Sequence, residues 1–344
     1  MLSAARTSPG RRGRYRTVVA AVAAATLLTA CGGSEESSAS AANGEELVPL
    51  DFQLNFLPGG TTLGYFVADY QGFYEEEGLE VDVRSSTDPT LSVRLIGSGE
   101  RNIGAVYTAD MLNAAVAGSP VTIVRSNQCE NPFGILALAE SGIEEPADLR
   151  GQRVGVTDLV VDRAYFAAML ESAGLTEQDL TVVNPGFTGV QQLLQGNLDA
   201  TSEIVDYGPV IMEQQGKDYT FIPYADHGAP NAPFSAVAVN PDWLAEDGNE
   251  EIVQRFLRAL DKAEAWASEN LEEAADQFVA QFPDADKETV MAQFEASYDP
   301  GCSGASDIQE YQELADFLTE QGHLEEPVDV TEHVTNDYLA EPVD

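Results

Sequence analysis

Two periods of hydrophobicity alternate along most of this chain. Leu50-Asp51-Phe52-Gln53-Leu54 and Leu79-Glu80-Val81-Asp82-Val83 place an apolar residue at every second position, the pattern of a strand that buries one face. Residues 62–71, 90–96 and 109–116 carry apolar residues at helical spacing, and the first and last of these stop at Gly72 and Gly118, residues suited to a helix C-terminus. Residues 103–106 read as a buried strand, 121–124 as a β-branched strand, and 134–139 form another apolar run. Around Pro146 the alternation restarts with a strand at 154–156, a helix at 163–172 before Gly174, a strand at 181–183 and a helix at 190–195 before Gly196. Strands follow from Asp199-Ala200-Thr201, at 219–222 and at 236–239. Beyond Pro241 only helical spacing remains, at 250–269, 271–281, 287–295 and 307–321.

Strands alternating with helices predict an α/β fold with largely parallel sheets. The restart predicts two lobes: residues 47–135 with 237–344, and residues 136–236. The chain would leave the first lobe near 131–139 and return near 233–240. Two such crossings make a hinge on which lobes can close.

The ends and the charge add to this picture. Arg6, Arg11, Arg12, Arg14 and Arg16 form a basic segment without acidic residues, and an uncharged stretch runs from Thr17 to Ala30. That stretch is too short and alanine-rich for a permanent membrane span and reads, over 1–30, as a signal peptide. Leu28-Thr29-Ala30-Cys31 resembles a lipoprotein cleavage motif, which implies a lipidated Cys31 and anchoring at the outer face of the cytoplasmic membrane. Residues 31–46, rich in Ser, Ala, Glu and Gly, read as a flexible tether. The chain holds 17 basic and 58 acidic residues. Five of the basic ones precede Cys31, leaving 12 against 58 and a formal charge of −46. Phosphate binding needs clustered Lys and Arg, so nucleic acid is excluded as a partner. Outside the membrane Cys129 and Cys302 can form a disulfide, provided the fold brings them within bridging distance.

Three stretches, in order, resemble a known family. They are Tyr65-Phe66-Val67-Ala68-Asp69-Tyr70-Gln71-Gly72-Phe73-Tyr74-Glu75-Glu76-Glu77-Gly78-Leu79-Glu80-Val81, then Pro146-Ala147-Asp148-Leu149-Arg150-Gly151-Gln152-Arg153-Val154-Gly155-Val156, then Leu193-Leu194-Gln195-Gly196-Asn197-Leu198-Asp199-Ala200. The family is that of periplasmic-type binding proteins for sulfonates, nitrate, taurine and thiamine-pyrimidine precursors. Tyr224-Ala225-Asp226-His227-Gly228-Ala229-Pro230 is most similar to its pyrimidine-precursor branch. That branch departs from this chain at Asn55-Phe56-Leu57-Pro58 and at Glu203-Ile204-Val205-Asp206-Tyr207, both pocket regions. The resemblance implies a two-lobed, type II-like binding-protein fold with a hinge and C-terminal helices. It also implies a solute-binding component of an ABC importer, with a permease and ATPase complex as partners and no cofactor or metal. The ligand it suggests is a thiamine-precursor aminopyrimidine or related heteroaromatic, with a sulfonate, taurine or nitrate as the alternative.

Candidate ligand residues follow from fold geometry, because open α/β sheets bind ligands at the C-terminal ends of their strands. That rule selects Asn55, Phe56 and Thr62 after the first strand, and Tyr107, Thr108 and Asp110 after 103–106. It selects Thr157 and Asp158 after 154–156, Glu203, Asp206 and Tyr207 after the strand at Ala200, and Asp226 and His227 after 219–222. Phe56, Tyr107 and Tyr207 offer aromatic faces, and Glu203 or Asp226 a charged acceptor for an amino-pyrimidine edge. These loops contain no Lys or Arg, which favours a neutral or cationic ligand over an anion. Asp110 has a simpler role open to it as a helix cap, and Asp226 as a turn former.

An enzyme would need chemistry that the sequence does not supply. The three histidines, His227, His323 and His333, are scattered, and no nucleophile elbow, Walker loop or dinucleotide fingerprint is present. Fungal pyrimidine synthases are similar to this family, but their resemblance implies a Cys- and His-rich iron site that this sequence lacks. A surface ectodomain without a transport role is the remaining class.

Overall fold

The computed structural model describes residues 46–128, 130–299, 302 and 304–339. Signal peptide, Cys31, nearly all of the tether and Cys129 therefore lie outside the described residues.

Ten strands are described, in two five-stranded sheets. The first sheet holds β1 (Val48–Gln53), β2 (Leu79–Arg84), β3 (Ile103–Tyr107), β4 (Thr122–Ser126) and β10 (Ser235–Val239), in the order β2-β1-β3-β10-β4. The second holds β5 (Phe133–Leu138), β6 (Arg153–Gly155), β7 (Thr181–Val183), β8 (Ala200–Ile204) and β9 (Tyr219–Pro223), in the order β7-β6-β8-β5-β9. In each sheet four strands run in one direction, as the alternating pattern predicts. The strand that joins the sheets at each crossing is antiparallel: β10 to β3 and β4, and β5 to β8 and β9.

The chain crosses between sheets at 127–132 and 224–234. The expected lobe limits at 135/136 and 236/237 fall inside β5 and β10, and each of these strands pairs whole within one sheet. Hydrogen-bond pairing is a property of the complete strand, and the hydropathy of an apolar run carries no mark of which sheet it joins.

The described helices are α1 (Leu63–Tyr70), α2 (Phe73–Glu76), α3 (Leu91–Gly97), α4 (Thr108–Val116), α5 (Val160–Ser172), α6 (Gly189–Leu194), α7 (Gly208–Gln214), α8 (Pro241–Leu244), α9 (Asn249–Glu269), α10 (Leu271–Gln281), α11 (Lys287–Ser297) and α12 (Ile308–Glu320), and all but the short α2, α7 and α8 lie where apolar periodicity puts them. In α9 the residues Val253, Phe256, Leu257, Leu260 and Ala263 recur every three or four positions and are fully buried, one stripe of an amphipathic helix. That stripe closes the first sheet, where Phe256 stacks on Phe52 at 4.9 Å and on Tyr74 at 5.5 Å. Helix α12 joins the two halves of the molecule, since Tyr311 and Leu314 belong to the same core as Ile123 of β4 and Phe166 of α5. No described helix is long and apolar enough to cross a membrane.

Beneath the first crossing lies a buried ionic group. Arg125, 4% exposed, donates to Asp261 at 3.2 Å and Glu264 at 2.5 Å, both on α9, and to the Asn127 side chain at 3.2 Å. Two carboxylates around one guanidinium offset its desolvation, and removing either side would strand a charge. The start of the crossing is thereby fixed to the long helix. Cys302, near this point in sequence to Gly304 whose carbonyl accepts from Ser126, is disulfide-bonded. Its bonding partner lies outside the described residues.

Candidate functional site

The parallel strands of both sheets end at the crossings. Tyr107, last in β3, pairs with Ser235, first in β10, and Ile204, last in β8, pairs with Phe133, first in β5. The loops after β3 and β8 therefore start at the seam between the sheets.

Glu203 is the half-buried carboxyl on the second-sheet side. Two glycines give it room. A Cβ at Gly189 would lie 2.8 Å from its Oε1, and a Cβ at Gly208 would lie 2.8 Å from its own Cβ. Burial pushes the Glu203 carboxyl up to about 8, with the nearby Asp162 charge adding to the rise and the Val190 N–H opposing it. A neutral acid thus predominates at pH 7 where the sequence suggested a charged acceptor. The reason is desolvation behind β8, which no linear pattern reveals.

Asp206 is 2% exposed and accepts from Gln128 Nε2 at 3.1 Å. Burial pushes it up to about 6, against the Gln128 hydrogen bond. Gln128 belongs to the first crossing, so this bond ties the second-sheet loop to the hinge. Tyr107 answers from the first sheet. Burial, then the charges of Asp110 and Asp206, push its phenol up. One face of the Tyr107 ring is taken by Phe234, stacked at 4.5 Å, and Phe234 meets Phe133 edge-on at 4.8 Å. Asp110, in the first turn of α4, is pushed up to about 6 by burial with Asp88 adding. It is not the cap of that helix, whose N-cap position is Tyr107.

Asn55 is buried just beyond β1, and Phe56 is half-buried with its ring facing Phe187 of the second-sheet side, centroids 5.8 Å apart. Thr62 is turned to local use. Its Oγ1 accepts from Gly59 N–H and donates to Gly59 O, each at 3.0 Å. Tyr207 packs with the apolar group of Leu136, Val190, Leu193 and Met212. Asp158 is exposed, paired with Arg163 at 3.1 Å and in contact with the Asn184 amide. Asp226 stands exposed on the 224–227 turn, and no described hydrogen bond or ion pair joins it to the others. Phe56 thus meets Phe187, Tyr107 meets Phe234 and Asp206 meets Gln128, while Thr62, Asp158 and Tyr207 have the partners given above.

Sequence reasoning passed over Gln128, Phe187 and Asp162. Asp162, 1% exposed in the first turn of α5, accepts from Thr157 N–H at 2.9 Å, Thr157 Oγ1 at 2.6 Å and Ser202, and so knits the loop after β6 to β8. A carboxylate at an apolar helix position was its visible signal. For Phe187 it was a large aromatic inside the turn Pro185-Gly186-Phe187-Thr188-Gly189.

Two sheets linked by two crossings, with a polar and aromatic seam at their facing strand ends, define a two-lobed binding protein of the periplasmic type. The chain belongs to the NMT1/THI5-like family, whose model matches residues 61–274. It is 27% identical over 298 residues to the formylaminopyrimidine-binding protein of Halalkalibacterium halodurans, covering 84% of this chain and 90% of that one. It is 24% identical over 313 residues to the 4-amino-5-hydroxymethyl-2-methylpyrimidine phosphate synthase THI13 of Saccharomyces cerevisiae, covering 85% and 88%. Among solved structures it is similar to the periplasmic aliphatic sulphonate binding protein SsuA from Escherichia coli, with a TM-score of 0.65 and 15% identity over 88% of this chain and 96% of that one.

Proposed function

We propose that this chain is the extracytoplasmic solute-binding component of an ABC importer and that it captures an aminopyrimidine or related flat heteroaromatic between its lobes, without catalysis. The lobes are built on the two sheets and divide at the crossings 127–132 and 224–234. A lipidated Cys31 holds the protein at the membrane, a permease and ATPase complex receives the ligand, and Cys129 bridges Cys302.

The observation that carries the ligand class is the make-up of the loops at the strand ends, which hold the carboxyls of Glu203, Asp206 and Asp110 and the rings of Phe56 and Tyr107 with no Lys or Arg. Asp206 and Asp110, each pushed up only to about 6 and so mostly ionised at pH 7, repel a sulfonate or nitrate in a water-poor site. A neutral Glu203 can instead donate its O–H to a ring nitrogen while its carbonyl accepts from the adjacent exocyclic amine. The similarity to a formylaminopyrimidine-binding protein supports the same reading.

A thermal-shift screen of the mature domain tests it, because a ligand of the folded state raises the melting temperature by mass action. Aminopyrimidine thiamine precursors or riboflavin should raise Tm, while taurine, alkanesulfonates and nitrate should leave it unchanged. A shift with a sulfonate or nitrate alone would retain the importer role and overturn the ligand class.

A further inference from the structure

Phe187 is 66% exposed, more than any other large hydrophobic residue described. Its ring gives the fold little, because hydrophobic stabilisation follows the area removed from water. Yet its loop is held firmly. Asn184 Oδ1 accepts from Gly186 N–H at 2.8 Å, Thr188 Oγ1 donates to Pro185 O at 2.7 Å, and Gly186 takes the left-handed conformation the turn requires, φ 57°. A rigid turn thus displays an aromatic ring to solvent. The aromatic partner described for that ring, Phe56, lies on the other sheet's side of the seam, 5.8 Å away and tilted 40°. Two residues beyond Phe187, Gly189 abuts Glu203 Oε1, so the pair stands at the doorway to that carboxyl. A second link spans the same seam, where Gln214 of α7 donates to Thr289 of α11 at 2.8 Å.

We propose that Phe56 and Phe187 are aromatic jaws, one on each lobe, that take the two faces of a flat heteroaromatic ligand whose polar edge reaches Glu203. This rests on the ligand class argued above and adds a residue and a geometry to it. A ring stacked between two others needs their centroids roughly 7 Å apart, twice the usual ~3.5 Å contact. The jaws therefore part by roughly 1 Å to accept it, a small rotation about two crossings.

The test compares wild type, F187A and F187W by calorimetric titration with an aminopyrimidine thiamine precursor, riboflavin and taurine, and by ligand-free melting. F187A should melt within about a degree of wild type, as expected for an exposed ring, and bind the heteroaromatic roughly 10- to 100-fold more weakly, the scale of lost base–aromatic stacking. F187W should keep the affinity, and its indole emission should change on binding. F187A affinity within twofold of wild type would overturn the jaws and leave the ligand class standing. A ligand-free melting point several degrees lower in F187A would also overturn them, since the ring would then serve the fold. Wild type responding to taurine alone, or to none of the three, would overturn both readings.

Discussion

Glu203 joins stability to recognition at the scale of one residue. Its folded carboxyl keeps its proton up to about pH 8, and the unfolded one releases it near 4.5. Between those values the folded state binds more protons than the unfolded. The stability linked to this group is therefore complete below about pH 4.5 and is lost as pH rises through about 8. Glu203→Gln removes the titration. Its Tm should match wild type near pH 5 and exceed it by on the order of 5 °C near pH 8.5, as read by calorimetry. Parallel curves would put the carboxyl in water. The amide also keeps one donor and one acceptor on the same edge, so Glu203→Gln should hold aminopyrimidine affinity within a few-fold at pH 7. Glu203→Leu should lose at least tenfold, since an unmet polar edge is expensive to bury. Equal binding by the Leu variant would take Glu203 out of the pocket.

Among the elements, α11 shows how the C-terminal helices serve a site built mostly elsewhere. It packs on the turn at residues 60–62, where Gly60 N–H donates to Gln293 Oε1 at 3.1 Å. A Cβ on Gly60 would lie 2.2 Å from the Val290 carbonyl oxygen and 2.6 Å from Gln293 Cβ. A backbone oxygen cannot swing aside, so Gly60→Ala must push helix and turn apart. The expected loss is on the order of 2 kcal/mol in urea unfolding, as in overpacked cores. An unchanged midpoint would mean that α11 floats over the turn. Elements with a clear period were legible from sequence, and α9 and α10 match their expected spans closely. Helix α7 was not, because its seven residues open on Gly208-Pro209 and are too few to show a period. Proline in a helix's first turn loses no hydrogen bond, so the same residues open a helix once the packing supports one.

For the molecule as a whole, charge is the dominant bulk property. A formal charge of −41 over the full chain means that folding concentrates like charges, and compaction works against their repulsion. Mobile ions screen this over roughly 10 Å at 0.1 M salt. Raising NaCl from about 0.02 to about 0.5 M should therefore raise Tm by several degrees, a shift readable by scanning fluorimetry. A fall would show that screening of ion pairs such as Arg258–Glu77 and Arg153–Asp199 outweighs relief of the repulsion.

The sequence by itself determined the class of fold, the restart into a second lobe, the helical C-terminal region and the acidic character, because periodicity and charge are written residue by residue. It also selected candidate ligand loops, since strand ends follow from strand positions. Tertiary structure alone decided which of those loops meet. It placed β5 and β10 in opposite sheets, bonded Thr62 to Gly59, packed Tyr207 on an apolar cluster, paired Asp158 with Arg163, and brought Phe56 and Phe187 together across the seam. It alone made Glu203 a neutral acid, because desolvation depends on everything packed around a group and not on its neighbours in the chain.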